Sequence, residues 1–136
     1  MSNHTYSQLA IPKTNIDDID KQYQKIESIL NDLIRNEKLD CSKTNLPPVF
    51  YSLMHLHSHY FTQEQITLAK YKFDGLCALK TYHKAFLDDV LLFQDKISEN
   101  PRAFCTEMIE FLGDWSKEYF TINKTAVDFL RSKGVK

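Results

Sequence analysis

The chain has 136 residues, 43% hydrophobic and 26% charged, the balance of one globular domain able to bury a core without disulfides or metals. Only 3 Gly and 4 Pro exclude a Gly-rich phosphate loop, the turns of an all-β fold and a collagen-like repeat. A net charge of −1 with no run of Lys and Arg excludes a nucleic-acid or anionic-membrane surface. No apolar run approaches the roughly 20 residues of a membrane span. The start, Met-Ser-Asn-His-Thr-Tyr, has neither the basic region nor the apolar core of a signal peptide. Cys41, Cys77 and Cys105 are odd in number and far apart, as in a reduced cytoplasmic chain.

Four helical stretches are predicted. The first runs from about Ile16 to Asn36, with an apolar stripe at Ile16, Ile19, Tyr23, Ile26, Leu30 and Leu33. Asn15 or Asp17 is the expected cap. A polar loop follows from Glu37 to Leu46. Pro47 and Pro48 then open the second helix, where a fixed φ is welcome. That helix runs to about Tyr71, with Phe50, Leu53, His57, Tyr60, Glu64 and Leu68 on its inner face. Asp74-Gly75 marks a break. The third helix carries Leu76, Leu79, His83, Phe86, Val90, Phe93 and Ile97. Ser98 to Pro101 ends it, with Asn100 as the cap of the fourth helix and Pro101 in its first turn. The fourth stripe is Phe104, Met108, Phe111, Trp115, Tyr119, Ile122, Ala126 and Phe129, and Gly134 stops it. Stripes of this kind joined by short loops predict an all-α, up-down-up-down four-helix bundle spanning 1–136 as a single domain. Its core covers about 15–134, behind a short N-terminal arm.

The inner faces carry polar groups: Tyr23, Tyr60, Glu64, His83 and Tyr119. One such group is easily satisfied alone, but a buried carboxylate needs a partner. Together they predict one polar cluster inside the bundle, where bundles build metal and cofactor sites. His55 and His59 share a helix face, where a surface Zn or Ni is conceivable, but they are expected to be solvated, with His57 turned inward. No Cys or Ser sits in a nucleophile motif, so no enzyme chemistry is expected.

The spacings carry a resemblance. Ile19-Asp20-Lys21-Gln22-Tyr23, then Ile26 and Leu30-Asn31-Asp32-Leu33, is followed by Tyr60-Phe61-Thr62-Gln63-Glu64-Gln65. Leu79 stands four residues before His83, and Phe86 three after it; Trp115-Ser116-Lys117-Glu118-Tyr119-Phe120 and a closing Asp128-Phe129-Leu130 complete the set. In this order and at these separations the motifs resemble those of the bacterial hemerythrins over residues 15–134. The resemblance implies a four-helix bundle that in the family holds two irons with five His and two carboxylates. By the same resemblance the ligand positions here are Tyr23, Tyr60, Glu64, Leu79, His83, Tyr119 and Lys124. Only Glu64 and His83 keep the family's chemistry. An alternative register, with His59 and Gln63 in the second-helix positions, would need a change of spacing before His83.

These replacements argue against iron. A phenol must lose a proton of pKa about 10 before it ligates well, Leu79 cannot coordinate, and Lys124 puts a cation where an anion should stand. The expectation is a metal-free hemerythrin fold in which Tyr23, Tyr60 and Tyr119 fill the former site. Their hydroxyls, His83 and Lys124 would satisfy Glu64. No cofactor is expected. The task would be structural, signalling or binding of a protein partner, with the state, monomer or homo-oligomer, left open. Two alternatives stand beside it. One is a single iron held by Glu64, His83 and Tyr23, Tyr60 or Tyr119, with an oxygen- or iron-sensing role. The other is a small-ligand or haem pocket between the helices.

Overall fold

The computed structural model describes residues 9–39 and 45–136. Among them every regular element is helical: α1 (Asp17–Leu39), α2 (Leu46–His55), a π-helical turn (Leu56–Phe61), α3 (Thr62–Lys70), α4 (Leu76–Leu92), α5 (Gln94–Glu99) and α6 (Pro101–Ser132). α2, the π turn and α3 follow without a break, and α5 follows α4 after one residue, so the chain makes four long helical stretches. No helix is long and apolar enough to cross a membrane.

The α1 stripe is buried as the spacing predicts, and Gln22, Ile29, Ile34 and Glu37 widen it. Asp17, Asp18 and Asp20 place acid in the first turn, where the helix dipole favours it. The predicted cap is replaced by a more distant one. The Thr14 backbone N–H donates to Asp20 Oδ1 at 2.7 Å, the Thr14 hydroxyl donates to the same oxygen at 2.8 Å, and Ile16 N–H donates to Thr14 Oγ1 at 3.1 Å. Asn15 serves through its backbone instead, at φ 62°, a left-handed conformation that Asn tolerates. The helix also runs past Asn36 to Leu39. Glu37, assigned to the loop, is buried and accepts from the Thr106 hydroxyl at 3.1 Å. Cys41 and the middle of the predicted loop lie outside the described residues.

The second stretch departs most from expectation. A helix of uniform pitch would bury His57 and Tyr60. The π turn inserts one residue, so the core positions are Leu53, Leu56, Phe61, Glu64 and Leu68, with Phe61 five positions after Leu56. The Thr62 hydroxyl donates to the His57 carbonyl at 3.2 Å and helps to satisfy the widened turn. The gain is apolar: two fully buried hydrocarbon side chains replace a histidine and a tyrosine. After α3, the Phe73 ring lies 2.8 Å from where a Cβ on Gly75 would stand, so no side chain fits there without a shift.

The third stretch is not one helix. Phe93 N–H bonds to the Val90 carbonyl and Lys96 N–H to the Phe93 carbonyl, both at 3.0 Å, so the coil tightens locally between α4 and α5. α6 starts as predicted: Asn100 Oδ1 accepts from Ala103 N–H at 3.1 Å, and Pro101 opens the first turn. It ends on Gly134 at φ 80°, where Gly134 N–H reaches Arg131 O and Val135 N–H reaches Leu130 O, a Schellman stop. Inside α6, Ile122 is exposed and Asn123 is buried in its place; Leu130 likewise goes deeper than Phe129. One apolar cluster, with residues from all four stretches, joins these faces.

Candidate functional site

Four of the seven positions singled out meet in one polar cluster, with Leu79 buried in the surrounding core. α1 supplies Tyr23, α3 supplies Glu64, α4 supplies His83 and α6 supplies Tyr119; all are 5% exposed or less. Two do not join. Tyr60 is only half-buried and packs against His55 and His59, with ring centres 5.8 and 4.9 Å away. The extra residue of the π turn carries it off the core face and brings Phe61 in. The Phe61 ring lies flat on His83, with centres 4.1 Å apart and planes 9° from parallel. Lys124 projects outward and pairs with Asp128 at 2.8 Å, so it does not reach Glu64. The alternative register fares no better, because His59 and Gln63 are both exposed. His55 and His59 stack on the surface at 5.0 Å, and His57 is half-buried.

Tyr119 meets Glu64 as expected, while Gln22, Gln65 and Asn123, which pattern reading passed over, complete the network. Glu64 Oε1 accepts from Gln22 Nε2 at 3.2 Å and lies 2.7 Å from the Tyr119 hydroxyl. That hydroxyl also lies 2.9 Å from Gln22 Oε1 and 3.1 Å from His83 Nε2. Gln65 Nε2 donates to His83 Nδ1 at 2.8 Å. Tyr23 accepts from Asn123 Nδ2 at 2.8 Å. Gln22 sits one residue before Tyr23 and Asn123 one turn after Tyr119, and these spacings are the only sequence signals of their place. Glu64 Oε2, Asn123 Oδ1 and Ser116 Oγ are buried without a hydrogen-bond partner.

Counting protons fixes the charge state that suits this geometry. Gln65 is a donor to Nδ1, so His83 carries its proton on Nε2 and donates it to the Tyr119 oxygen. Tyr119 has one proton, yet two acceptors, Glu64 Oε1 and Gln22 Oε1, lie within 2.9 Å of it. With Glu64 ionised, one of those close approaches sets two oxygen lone pairs against each other. With a proton on Glu64 Oε1, Glu64 donates to Tyr119 and Tyr119 donates to Gln22, so every short contact holds a proton.

Electrostatics agree. Burial raises the Glu64 carboxyl above its usual range, while hydrogen bonding from Tyr119 and Gln22 pulls it part of the way back. Burial pushes His83 down to about 3, and the nearby His57 adds to this. The 3.7 Å approach of His83 to Glu64 is therefore not an ion pair. Burial holds the phenols of Tyr119 and Tyr23 well above their ordinary value.

The aromatic surroundings close the space. The Trp115 ring stacks on Tyr119 at 4.5 Å, and Tyr23 meets Tyr119 edge-on at 6.2 Å. Phe61 lies 5.4 Å from Tyr119. This donor set does not fit a pair of irons. His83 has both ring nitrogens committed to protein groups, which also bars it from a haem axis. The phenols are held against ionisation, Leu79 has no donor atom, and Tyr60 and Lys124 stand elsewhere. Among the described residues no three His, Cys, Asp or Glu side chains converge as a metal site. Comparison with protein families, with curated proteins and with solved structures finds no match to this chain.

Proposed function

We propose that the chain is a hemerythrin-like protein, an up-down-up-down four-helix bundle whose di-iron centre has given way to a neutral hydrogen-bonded network. In this reading it carries no oxygen and catalyses no reaction. It acts as a structural, signalling or partner-binding module in the cytoplasm. The observation that carries the reading is the Tyr119 hydroxyl, held between Glu64 at 2.7 Å and His83 at 3.1 Å. The two positions that keep the family's ligand chemistry are thereby turned toward a phenol. The Tyr119 and Phe61 rings fill space that a metal pair would need, as dense interiors require. The exposed thiol of Cys77 fits a reducing compartment.

Metal analysis tests this reading. Protein made in iron-rich medium and freshly purified is expected to hold far less than one iron per chain, with a visible spectrum lacking oxo-bridged di-iron and tyrosinate-to-iron bands. Stoichiometric iron, in either number, would overturn it.

A further inference from the structure

On the outside of the bundle an open groove of about 320 Å³ runs between α4 and α6. Its floor is aromatic. Phe86 meets Trp115 at 4.4 Å and Phe111 at 5.9 Å, and Tyr82 meets Trp115 at 5.7 Å, so rings bridge the two helices without covering the gap. Phe86 and Trp115 are buried there, while Tyr82 and Phe111 keep part of their surface open. The same helix faces carry two large apolar groups into solvent. Leu92 stands two turns after Ala85 on α4, and Ile122 two turns after Trp115 on α6. Leu92 is 76% exposed and Ile122 42%. The rim is acidic: Asp89, Asp114 and Glu118 line it, and no Lys, Arg or His does. Asp89 has no ion-pair partner among the described residues. Glu118 accepts from the Tyr82 hydroxyl at 3.0 Å, a neutral donor that leaves its charge in place. Lys84 on α4 is engaged with Asp88 instead, at 3.0 Å.

The geometry points to this groove as the docking site for a basic amphipathic helix of a protein partner. From Tyr82 to Leu92, and from Phe111 to Ile122, each wall offers about 15 Å of helix, the length of about three turns. The partner's apolar stripe seats on Tyr82, Phe111, Leu92 and Ile122, and Lys or Arg at its edges meets Asp89, Asp114 and Glu118. Helices dock in grooves through apolar groups at i, i+3, i+4 and i+7, and opposite charges at the rim fix orientation and exclude wrong partners. Charge decides among the occupants. A second copy presenting this same face would set carboxylates against carboxylates, and an acidic helix would be repelled. The proposal deepens the partner-binding reading and rests on that part of it, naming the face and the partner's chemistry; it makes no use of the buried network.

The test is a selection of short helical peptides, about four turns long, displayed on phage with an Ala scaffold and all other positions randomised, against the full chain. Selected peptides are then made synthetically and titrated into the ¹⁵N-labelled chain. Peptides with an apolar stripe and net positive charge are expected, giving saturable amide shifts centred on Tyr82, Asp89, Phe111, Glu118 and Ile122. Replacing their Lys and Arg by Glu should abolish the shifts. Asp89→Lys should weaken binding about three- to tenfold, the reach of one reversed exposed charge, and Leu92→Ser combined with Ile122→Ser should weaken it more than tenfold. All three positions are exposed, so the spectrum of each variant otherwise keeps its pattern. A selection that yields no peptide or only neutral or acidic ones, or affinities unchanged in both variants, would overturn the proposal, as would sedimentation showing the chain paired with itself through this face. Docking of the peptides on another face sinks the groove and keeps the partner-binding reading. Stoichiometric iron on the same sample sinks the metal-free reading and leaves the groove standing.

Discussion

Tyr119→Phe removes one oxygen and leaves the ring, so it isolates the network from the packing. The hydroxyl serves three neighbours: Glu64 Oε1 at 2.7 Å, Gln22 Oε1 at 2.9 Å and His83 Nε2 at 3.1 Å. Glu64 Oε1 keeps the donor Gln22 Nε2 after the change, but the proton it gave to the phenol loses its acceptor. Gln22 Oε1 and the His83 Nε2–H keep nothing else in hydrogen-bonding range, and both residues are 1% exposed or less. Three newly orphaned groups at about 1–3 kcal/mol each, less what Glu64 and Gln22 recover by pairing with each other, predict a loss of about 2–6 kcal/mol in folding stability. The ring stack on Trp115 survives, so little further loss arises from packing. Guanidinium unfolding at neutral pH, with the slope compared to confirm a two-state transition, measures the difference directly. A loss under about 0.5 kcal/mol would refute the reasoning, because it would mean that the hydroxyl holds no buried partner.

The π turn makes a paired prediction: Phe61→Ala should cost about 3–5 kcal/mol and Tyr60→Ala about 1 kcal/mol or less, and the reverse ranking in denaturant midpoints would restore a helix of uniform pitch. Glu64 titrates higher in the fold than in the unfolded chain, so its stability contribution is fully present below the unfolded carboxyl value of about 4.3 and is lost as pH rises through the folded one. Glu64→Gln should therefore flatten the fall in stability across that rise, and an unchanged pH profile relative to wild type would show a carboxylate that is already ionised. His83 works from the other side. Its folded value of about 3 lies below the unfolded value near 6.5, so stability is lost as pH falls between the two, and His83→Gln should remove that part of the acid limb in pH-dependent unfolding.

Much of the fold is legible in the chain because punctuation and period agree. Asn100-Pro101, Gly134 and the stripes of α1 and α4 each have a local cause that tertiary packing does not override. The second stretch is different. Leu56 and Phe61 are the apolar choices, but they stand five residues apart, and a helix of 3.6 residues per turn cannot bury both. His57 and Tyr60 keep the period and look like site residues for that reason. Only the energy of burying Leu56 and Phe61 decides for the π turn, and that energy depends on the facing helices. In α6, Ile122 looks like the core residue and Asn123 like a surface one. The Tyr23 hydroxyl on α1 reverses the order by offering Asn123 a buried partner. Glu64, His83, Tyr23 and Tyr119 could be placed together from spacing and resemblance. Their wiring could not, since Gln22 and Gln65 carry no periodic signal and find their partners across helices.

The central claim is that Glu64 Oε1 and both ring nitrogens of His83 are spoken for by protein groups. Anaerobic addition of excess Fe(II), followed by air and desalting, challenges it most directly when the side-chain ¹⁵N signals of His83 are followed throughout. The account predicts a neutral His83 with its proton on Nε2, signals unmoved by iron, and no retained metal or oxo-bridged absorption. Retained iron accompanied by loss or displacement of the His83 signals would contradict it.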